Sequence, residues 1–290
     1  MSIAVVIPAY NGARFIQKAI QSVLDQTRRA DEIIVVDDGS SDGTAGIVSK
    51  YPVRLIEQAR AGVSGARNRA IKETSADWIA FLDQDDWYDA RKLEAHESTF
   101  APDVVLSYSS VSEIRNGQER MGVAAPAEDI RKRLRYENVF TPGAVVVRRS
   151  AVLEAGGFNV EVKGCEDWDL WVRLAPLGRF VACQNALLFV LIHGENYSLK
   201  PDLMLEAIEA ALPVLLGNTV GWERTATKSR IMAGQYAGAA LMCREKNEMR
   251  ALGYCLRSML AWPLPDYRPD RYKLFAAQLL RTVVPALRRA

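Results

Sequence analysis

The first hundred residues alternate two hydrophobic periods. Ile3 to Pro8, "IAVVIP", is a short, continuous, β-branched run, the pattern of a strand buried on both faces. In "ARFIQKAIQSVLDQ", Phe15, Ile16, Ala19, Ile20, Val23 and Leu24 then recur at helical spacing. "EIIVVDD" (32–38) predicts a second buried strand, "GTAGIVSKY" a short helix and "VRLIEQ" a third strand. "VSGARNRAIKET" predicts another helix, and "WIAFLD" (78–83) a fourth strand. Strand and helix in alternation predict an α/β fold, with a mostly parallel sheet flanked by helices on both faces.

The middle of the chain is mixed. "DVVLSYSSV", "AVVVRRS" and "ALLFVLIHG" read as strands. "CEDWDLWVRLAPLG" reads as a helix with acidic residues in its first turn and Gly178 after its end. From about Pro201 the pattern changes to long helices rich in Ala, Leu and Met. This places a boundary near residue 200, between an α/β domain (1–200) and a helical C-terminal region (201–290).

In parallel sheets, ligands bind beyond the carboxyl ends of the strands. Those ends here carry Pro8-Ala9-Tyr10-Asn11, Asp37-Asp38-Gly39-Ser40 and Asp83-Gln84-Asp85-Asp86. Acidic clusters separate in sequence thus become one acidic cleft. Aspartates at strand ends are common in solvated turns and helix caps. Two clusters at one edge add a repulsion that a cation would offset. Hard carboxylate oxygens suit Mg²⁺ or Mn²⁺, which also bridge phosphates.

The usual glycine-rich phosphate loops are missing. No Gly-x-Gly-x-x-Gly follows the first strand, and no Gly-Lys-Ser/Thr occurs anywhere. "GVSGARNRA" opens a helix with backbone N–H groups and Arg67, a setting for an anion. Glu166 and Asp167 read either as first-turn capping residues or as a general base. His96 is expected on an exposed polar helix face. His193 reads as a core histidine or a third metal ligand.

The 37 Lys and Arg against 35 Asp and Glu give no reason to expect nucleic acid as a partner. Four cysteines without paired spacing read as buried thiols in a reducing compartment. Neither a signal peptide nor a membrane-spanning run is expected, which predicts a cytoplasmic protein.

Taken together, "VVIPAYNGARFIQKAIQSVLDQT", "EIIVVDDGSSDGT", "GVSGARNRAI", "WIAFLDQDDWY", "GGF" at 156–158, "CEDWDLWVRL" and "HGENYS", in this order, resemble the family 2 inverting glycosyltransferases. The resemblance covers roughly residues 2 to 198. It implies the GT-A fold, a Rossmann-like mostly parallel sheet, and transfer of a sugar from a nucleotide-diphosphate donor to an acceptor hydroxyl. By position, Pro8, Tyr10 and Asp38 would contact base and ribose, with Asp38 accepting from a uracil N–H. Arg67 and Asn68 would lie near the nucleotide. Asp83, Gln84 and Asp85 would form the Asp-x-Asp site, with Asp85, Asp83 and His193 as ligands to Mg²⁺ or Mn²⁺. Asp167 would be the base. The family often carries Tyr-Arg two residues before the histidine. Here those positions are Val190 and Leu191, so a cationic contact to the diphosphate is missing unless a residue such as Lys200 replaces it.

The implied role is cell-surface polysaccharide or glycolipid assembly, on a saccharide or lipid-linked saccharide acceptor. Two rivals carry different chemistry. A nucleotidyltransferase would need a glycine-rich basic loop that "PAYNGARF" does not supply. A non-catalytic binding module would not need Asp38, Asp85 and Asp167 together. The tail "DYRPDRYKLFAAQLLRTVVPALRRA" combines Leu274, Phe275, Leu279, Leu280, Val283 and Val284 with Arg268, Arg271, Lys273, Arg281, Arg288 and Arg289. It reads either as a terminal helix docked on the catalytic domain with a solvated basic face, or as a peripheral contact at the inner membrane face.

Overall fold

The computed structural model describes residues 1–121, 127–194, 196, 200–264 and 270–287. Of the residues singled out above, Glu195, Tyr197, Ser198, Arg268, Arg288 and Arg289, and the side chains of Val283 and Val284, lie outside the described residues. The chain divides into two compact units. One comprises Met1–Ile130, Val139–Glu161 and Glu166–His193, and the other comprises Arg131–Asn138, Val162–Cys165 and Gly194–Ala290.

The first unit follows the alternating pattern. Its elements are β1 (Ile3–Ala9), α1 (Ile16–Leu24), β2 (Glu32–Asp37), α2 (Thr44–Val48), β3 (Arg54–Glu57), α3 (Gly62–Glu73), β4 (Trp78–Phe81), β5 (Trp87–Tyr88) and α4 (Lys92–Glu97). They continue with β6 (Val104–Arg115), β7 (Gln118–Met121), α5 (Ala127–Leu134), β8 (Val145–Arg148), α6 (Arg149–Glu154), α7 (Glu166–Leu174) and β9 (Arg179–Ile192), α5 running across the boundary between the units. The sheet order is β3-β2-β1-β4-β8-β6-β9-β5, with β7 on β6. β3, β2, β1 and β4 are parallel, β6 runs parallel to β9, and β8 enters antiparallel between β4 and β6. Every residue of β1 is buried, as its unbroken apolar run requires. α1 sends Ile16, Ala19, Ile20 and Val23 into the same core, where Trp78 stacks on Phe100 at 3.8 Å.

His96 corrects its expectation. It is fully buried, held in a polar chain rather than on a solvated face. Lys92 Nζ lies 3.1 Å from His96 Nε2, and His96 Nδ1 lies 2.8 Å from Ser107 Oγ. The two contacts join amine, imidazole and hydroxyl in one buried chain, and which ring nitrogen carries the proton follows the protonation state of the amine. Ser107 in turn contacts Cys183 Sγ at 3.5 Å. A short helix offered no periodicity strong enough to reveal that its Lys–His face turns inward.

The second unit contains α8 (Pro201–Leu215), α9 (Gly221–Cys243), α10 (Glu248–Ala261) and α11 (Asp270–Leu287). Small residues let α9 and α10 approach closely, and Ala237, Ala240, Ala251 and Cys255 form their shared core with Leu274 of α11. α11 therefore docks on α9 and α10. Arg271, expected on a solvated basic face, is buried instead. It donates to the carbonyls of Ser258, Trp262 and Leu264 at 3.1–3.2 Å. The guanidinium ties the last turn of α10 to the residues that follow it: the Ser258 carbonyl also accepts from the Trp262 N–H at 3.3 Å, and Trp262 and Leu264 lie just beyond Ala261. Among the described residues no helix is long and apolar enough to cross a membrane.

Candidate active site

Parallel β1, β2 and β4 deliver their three carboxyl-terminal turns to one edge, and side chains lace the turns together. The Gln84 amide brackets Tyr10, accepting from its backbone N–H at 2.9 Å and donating to its carbonyl at 3.1 Å. A Cβ on Gly12 would fall 2.1 Å from Gln84 Oε1, so the single glycine of that turn makes room for the bracket. Asn11, in the left-handed region at φ 48°, donates its backbone N–H to Ser40 Oγ at 2.9 Å and accepts from the Ser41 N–H at 2.9 Å. Asp37 is held by Ser40.

Asp38 is buried at the start of α3. Its carboxylate accepts from the backbone N–H groups of Ala61 (2.8 Å) and Gly62 (2.7 Å) and from Gln58 Nε2 (2.7 Å). Negative charge is stabilised at a helix N-terminus. Three of roughly four acceptor positions on this carboxylate are filled, which leaves one for another donor. Tyr10 is fixed by Arg60, whose Nη1 donates to its hydroxyl at 2.6 Å and whose guanidinium lies 3.7 Å from the ring centroid. Pro8 sits inside β1, buried opposite Val36. Asn68 directs its amide away to the backbone of Phe158, accepting at 2.8 Å and donating at 2.7 Å, so it braces the "GGF" turn.

The acidic run after β4 is divided among distinct partners. Asp83 receives Arg67 Nη2 at 2.7 Å, and Arg67 Nη1 reaches Glu166 at 3.1 Å. Arg67 itself is 2% exposed and lies 5.1 Å from the Phe158 ring centroid. Burial works against its charge, but Asp83 and Glu166, with a further contribution from Asp167, hold its pKa above the usual arginine value. Asp86 accepts from the Leu191 N–H at 3.1 Å and thereby ties the end of β9 to the acidic turn. Burial, with Asp83 and Asp85 adding to it, raises the Asp86 pKa well above the ordinary carboxylate range. Asp85 is raised by burial and by Asp83, against a hydrogen bond from His193. His193 Nε2 lies 2.9 Å from Asp85 Oδ2, and its ring stacks on Phe15 at 5.0 Å.

Among the described residues no three His, Cys, Asp or Glu side chains are gathered to hold a metal ion. The expected set Asp83, Asp85 and His193 is not assembled, because Asp83 faces Arg67. Asp85 and His193 alone face each other. One carboxylate oxygen and one imidazole nitrogen still suit Mg²⁺ or Mn²⁺, which take few protein ligands when phosphate oxygens and water complete the shell. Asp167 sits half-buried in the first turn of α7, beside Glu166.

The roles of Gln58, Arg60 and Phe15 at the site escaped the sequence reading. Phe15 read as part of the α1 apolar stripe and Gln58 as the end of the third strand, and nothing local marks their partners His193 and Asp38 or that of Arg60, Tyr10. Glu166 was visible only as half of an acidic pair, and its partner Arg67 lies 99 residues away.

The model of glycosyl transferase family 2 matches residues 4–153. The chain belongs to this family. It is 27% identical over 219 residues to a chondroitin synthase of Pasteurella multocida, covering 68% of this chain and 21% of that protein. The chain thus spans about a fifth of that synthase. Over 176 residues it is 32% identical to UDP-Glc:alpha-D-GlcNAc-diphosphoundecaprenol beta-1,3-glucosyltransferase WfgD of Escherichia coli, covering 59% of this chain and 69% of that enzyme. Among solved structures, S. aureus TarS 1-349 with UDP-GlcNAc superposes with a TM-score of 0.65 at 18% identity, over 100% of this chain and 92% of that one. The mannosyltransferase PcManGT of Pyrobaculum calidifontis, with GDP-Man and Mn²⁺, gives 0.63 at 17%, over 98% and 86%. The fold is GT-A.

Proposed function

We propose that this glycosyltransferase moves a sugar from a UDP-sugar to a hydroxyl of a saccharide or lipid-linked saccharide, with inversion, in polysaccharide or glycolipid assembly at the cytoplasmic face of the membrane. The observation that carries the reading is Arg67. Its two ion pairs bring the Asp-x-Asp turn and the first turn of α7 to one place, so the donor edge and the base candidate share a site. The names of WfgD and of the TarS complex support a UDP-sugar, and that of WfgD a lipid-diphosphate acceptor.

In this reading Asp38 accepts a donor from the base, and Asp167 takes the proton of the acceptor hydroxyl. The acceptor oxygen forms its bond to the anomeric carbon as the bond from that carbon to the diphosphate oxygen breaks. Glu166 and Asp83 keep Arg67 in place, and Arg67 offsets the charge of the carboxylates around the base. Asp85 and His193 would hold a divalent cation, which when bound supplies charge neutralisation on the departing nucleoside diphosphate. Asp167→Asn should retain nucleotide affinity and lose turnover by a factor on the order of 10²–10⁴. Asp85→Ala should lose Mn²⁺-dependent UDP binding while keeping its fold. Normal turnover by Asp167→Asn at saturating donor would place the base elsewhere.

A further inference from the structure

The helical unit holds an open cavity of about 710 Å³ bounded by α8, α9 and the end of α10. Pro213 stands inside α8, where it has no N–H to give and leaves the Glu209 carbonyl without its helical donor. Leu212, Leu216 and Met232 give the cavity an apolar lining, and all three are otherwise buried. Arg224 and Lys228, one turn apart on α9, line its polar side with the hydroxyls of Thr225 and Ser229. Among the described residues neither cation has an ion-pair partner, and Arg224 reaches only the carbonyls of Gly217 and Thr219 at 3.3–3.4 Å.

Nearby in sequence stand large apolar side chains in water. Val220 (75% exposed) and Trp222 (76%) lead into Arg224, and Leu260 (83%) adjoins the lining residue Ala261. Each lies near a lining residue in sequence, and together with the cavity they offer apolar surface that a partner would cover. Two cations without an ion-pair partner among the described residues, beside an apolar lining and exposed aromatic and aliphatic groups, outnumber the one lining carboxylate and suit a ligand with an anionic head and a hydrocarbon chain. Tryptophan and basic residues together are also what the boundary between water and lipid favours.

We infer that this cavity docks the phosphate end of an anionic membrane lipid, with Arg224 and Lys228 on the phosphate and Leu212, Leu216 and Met232 against the first methylenes. Val220, Trp222 and Leu260 enter the interface around it. Glu209, the carboxylate among the lining residues, weakens the site and keeps its charge selectivity modest. The inference does not depend on the chemistry proposed for the α/β unit. It moves the membrane contact from the terminal tail to the α8–α10 face.

The test is co-sedimentation of the full chain with phosphatidylcholine vesicles, with and without phosphatidylglycerol, at low and high salt. Sugar transfer to a soluble acceptor serves as the separate readout. The full chain should pellet with the anionic vesicles and be released by salt. Arg224→Glu with Lys228→Glu should lower binding at least tenfold and leave transfer unchanged. Trp222→Gln and Leu260→Gln, at exposed positions, should each lower it several-fold. Glu209→Gln should raise it. A full chain that stays in the supernatant, or a double variant that pellets like the parent, overturns the proposal. So does displacement from vesicles by millimolar inorganic phosphate at constant ionic strength, which would make this a free-phosphate site.

Discussion

Arg67 and Arg271 are each 2% exposed, yet the two units bury their guanidinium groups by different means. Arg67 faces carboxylates, Asp83 at 2.7 Å and Glu166 at 3.1 Å, contributed by separate elements of the α/β unit. Arg271 donates to three carbonyls and to the Ser258 hydroxyl at the end of α10. Without the arginine the Ser258 carbonyl keeps a backbone donor, the Trp262 N–H, and water can replace the guanidinium at the carbonyls beyond the helix. Carboxylates packed around a buried cation have no such substitute, because removing the cation leaves like charges facing one another. Arg67 therefore holds together a charged site, whereas Arg271 completes a helix.

The largest effect should come from Arg67→Met. Breaking a buried pair by removing one partner costs about 3–5 kcal/mol. Displacement of Asp83 and α7 should also lower turnover by on the order of 10² or more. Urea midpoints and donor turnover measure the two. Arg67→Lys restores charge without the fork and should recover stability better than turnover. A midpoint for Arg67→Met within error of the parent would erase the contrast with Arg271.

Lys92 is a third buried cation and the case in between, because an amine can shed its proton where a guanidinium does not. It is fully buried, facing His96 on its own helix, Tyr88 from β5 and Cys183 from β9. Burial lowers its pKa from 10.5 to about 7, with Cys183 opposing. Below about pH 7 both folded and unfolded chains carry the proton, and the folded state bears the full cost of the buried charge. Between about 7 and 10.5 the folded state alone releases it, so this contribution to stability rises with pH. Lys92→Met should then be more stable than the parent at pH 6.5, by a few kcal/mol on the linkage scale. The gap should narrow by pH 9.5. Urea midpoints at the two pH values check this, and a gap that widens with pH would reverse the sign.

Arg271→Met should cost about 1–3 kcal/mol, the range for buried acceptors left without donors. The loss should be local, seen as faster hydrogen exchange at the end of α10 and in α11, with UDP affinity unchanged. A drop in UDP affinity would mean that the helical unit supports the donor site after all.

What could be read from the sequence follows the same division. The β1–β4 core and the meeting of the three strand-end turns were legible, because a buried parallel sheet writes itself as unbroken apolar runs, and the GT-A fold followed from the resemblance of the ordered motifs. The partners at that edge were not. Nothing local in "FLDQDDWY" says that Asp83 turns to Arg67, Asp85 to His193 and Asp86 to the Leu191 N–H. Each pairing is set by elements distant in sequence. Gln84 stood in the expected Asp-x-Asp motif, but its bracket on Tyr10 depends on a space that only Gly12 leaves. In the tail the charges misled: Arg271 looked like one of six basic residues on a solvated face, and its burial follows from where α10 happens to end.

The smallest effect concerns the other side of that tail. Arg271, Leu274 and Gln278 recur at three- and four-residue steps and are all buried, which fixes the inward face of α11. Leu280 falls on the opposite side and is 63% exposed. If the inward face alone holds the helix, Leu280→Glu should shift the urea midpoint by no more than about 0.5 kcal/mol. The same variant discriminates between the two places where lipid could be met. A tail that lies in the interface with Leu279 and Leu280 inserted would lose vesicle binding when a carboxylate replaces Leu280, because burying that charge among acyl chains is costly. A contact centred on Arg224 and Lys228 would leave binding nearly unchanged. Co-sedimentation of Leu280→Glu beside the Arg224→Glu, Lys228→Glu double variant therefore gives opposite patterns for the two surfaces. Loss of binding in Leu280→Glu alone would return the membrane contact to α11.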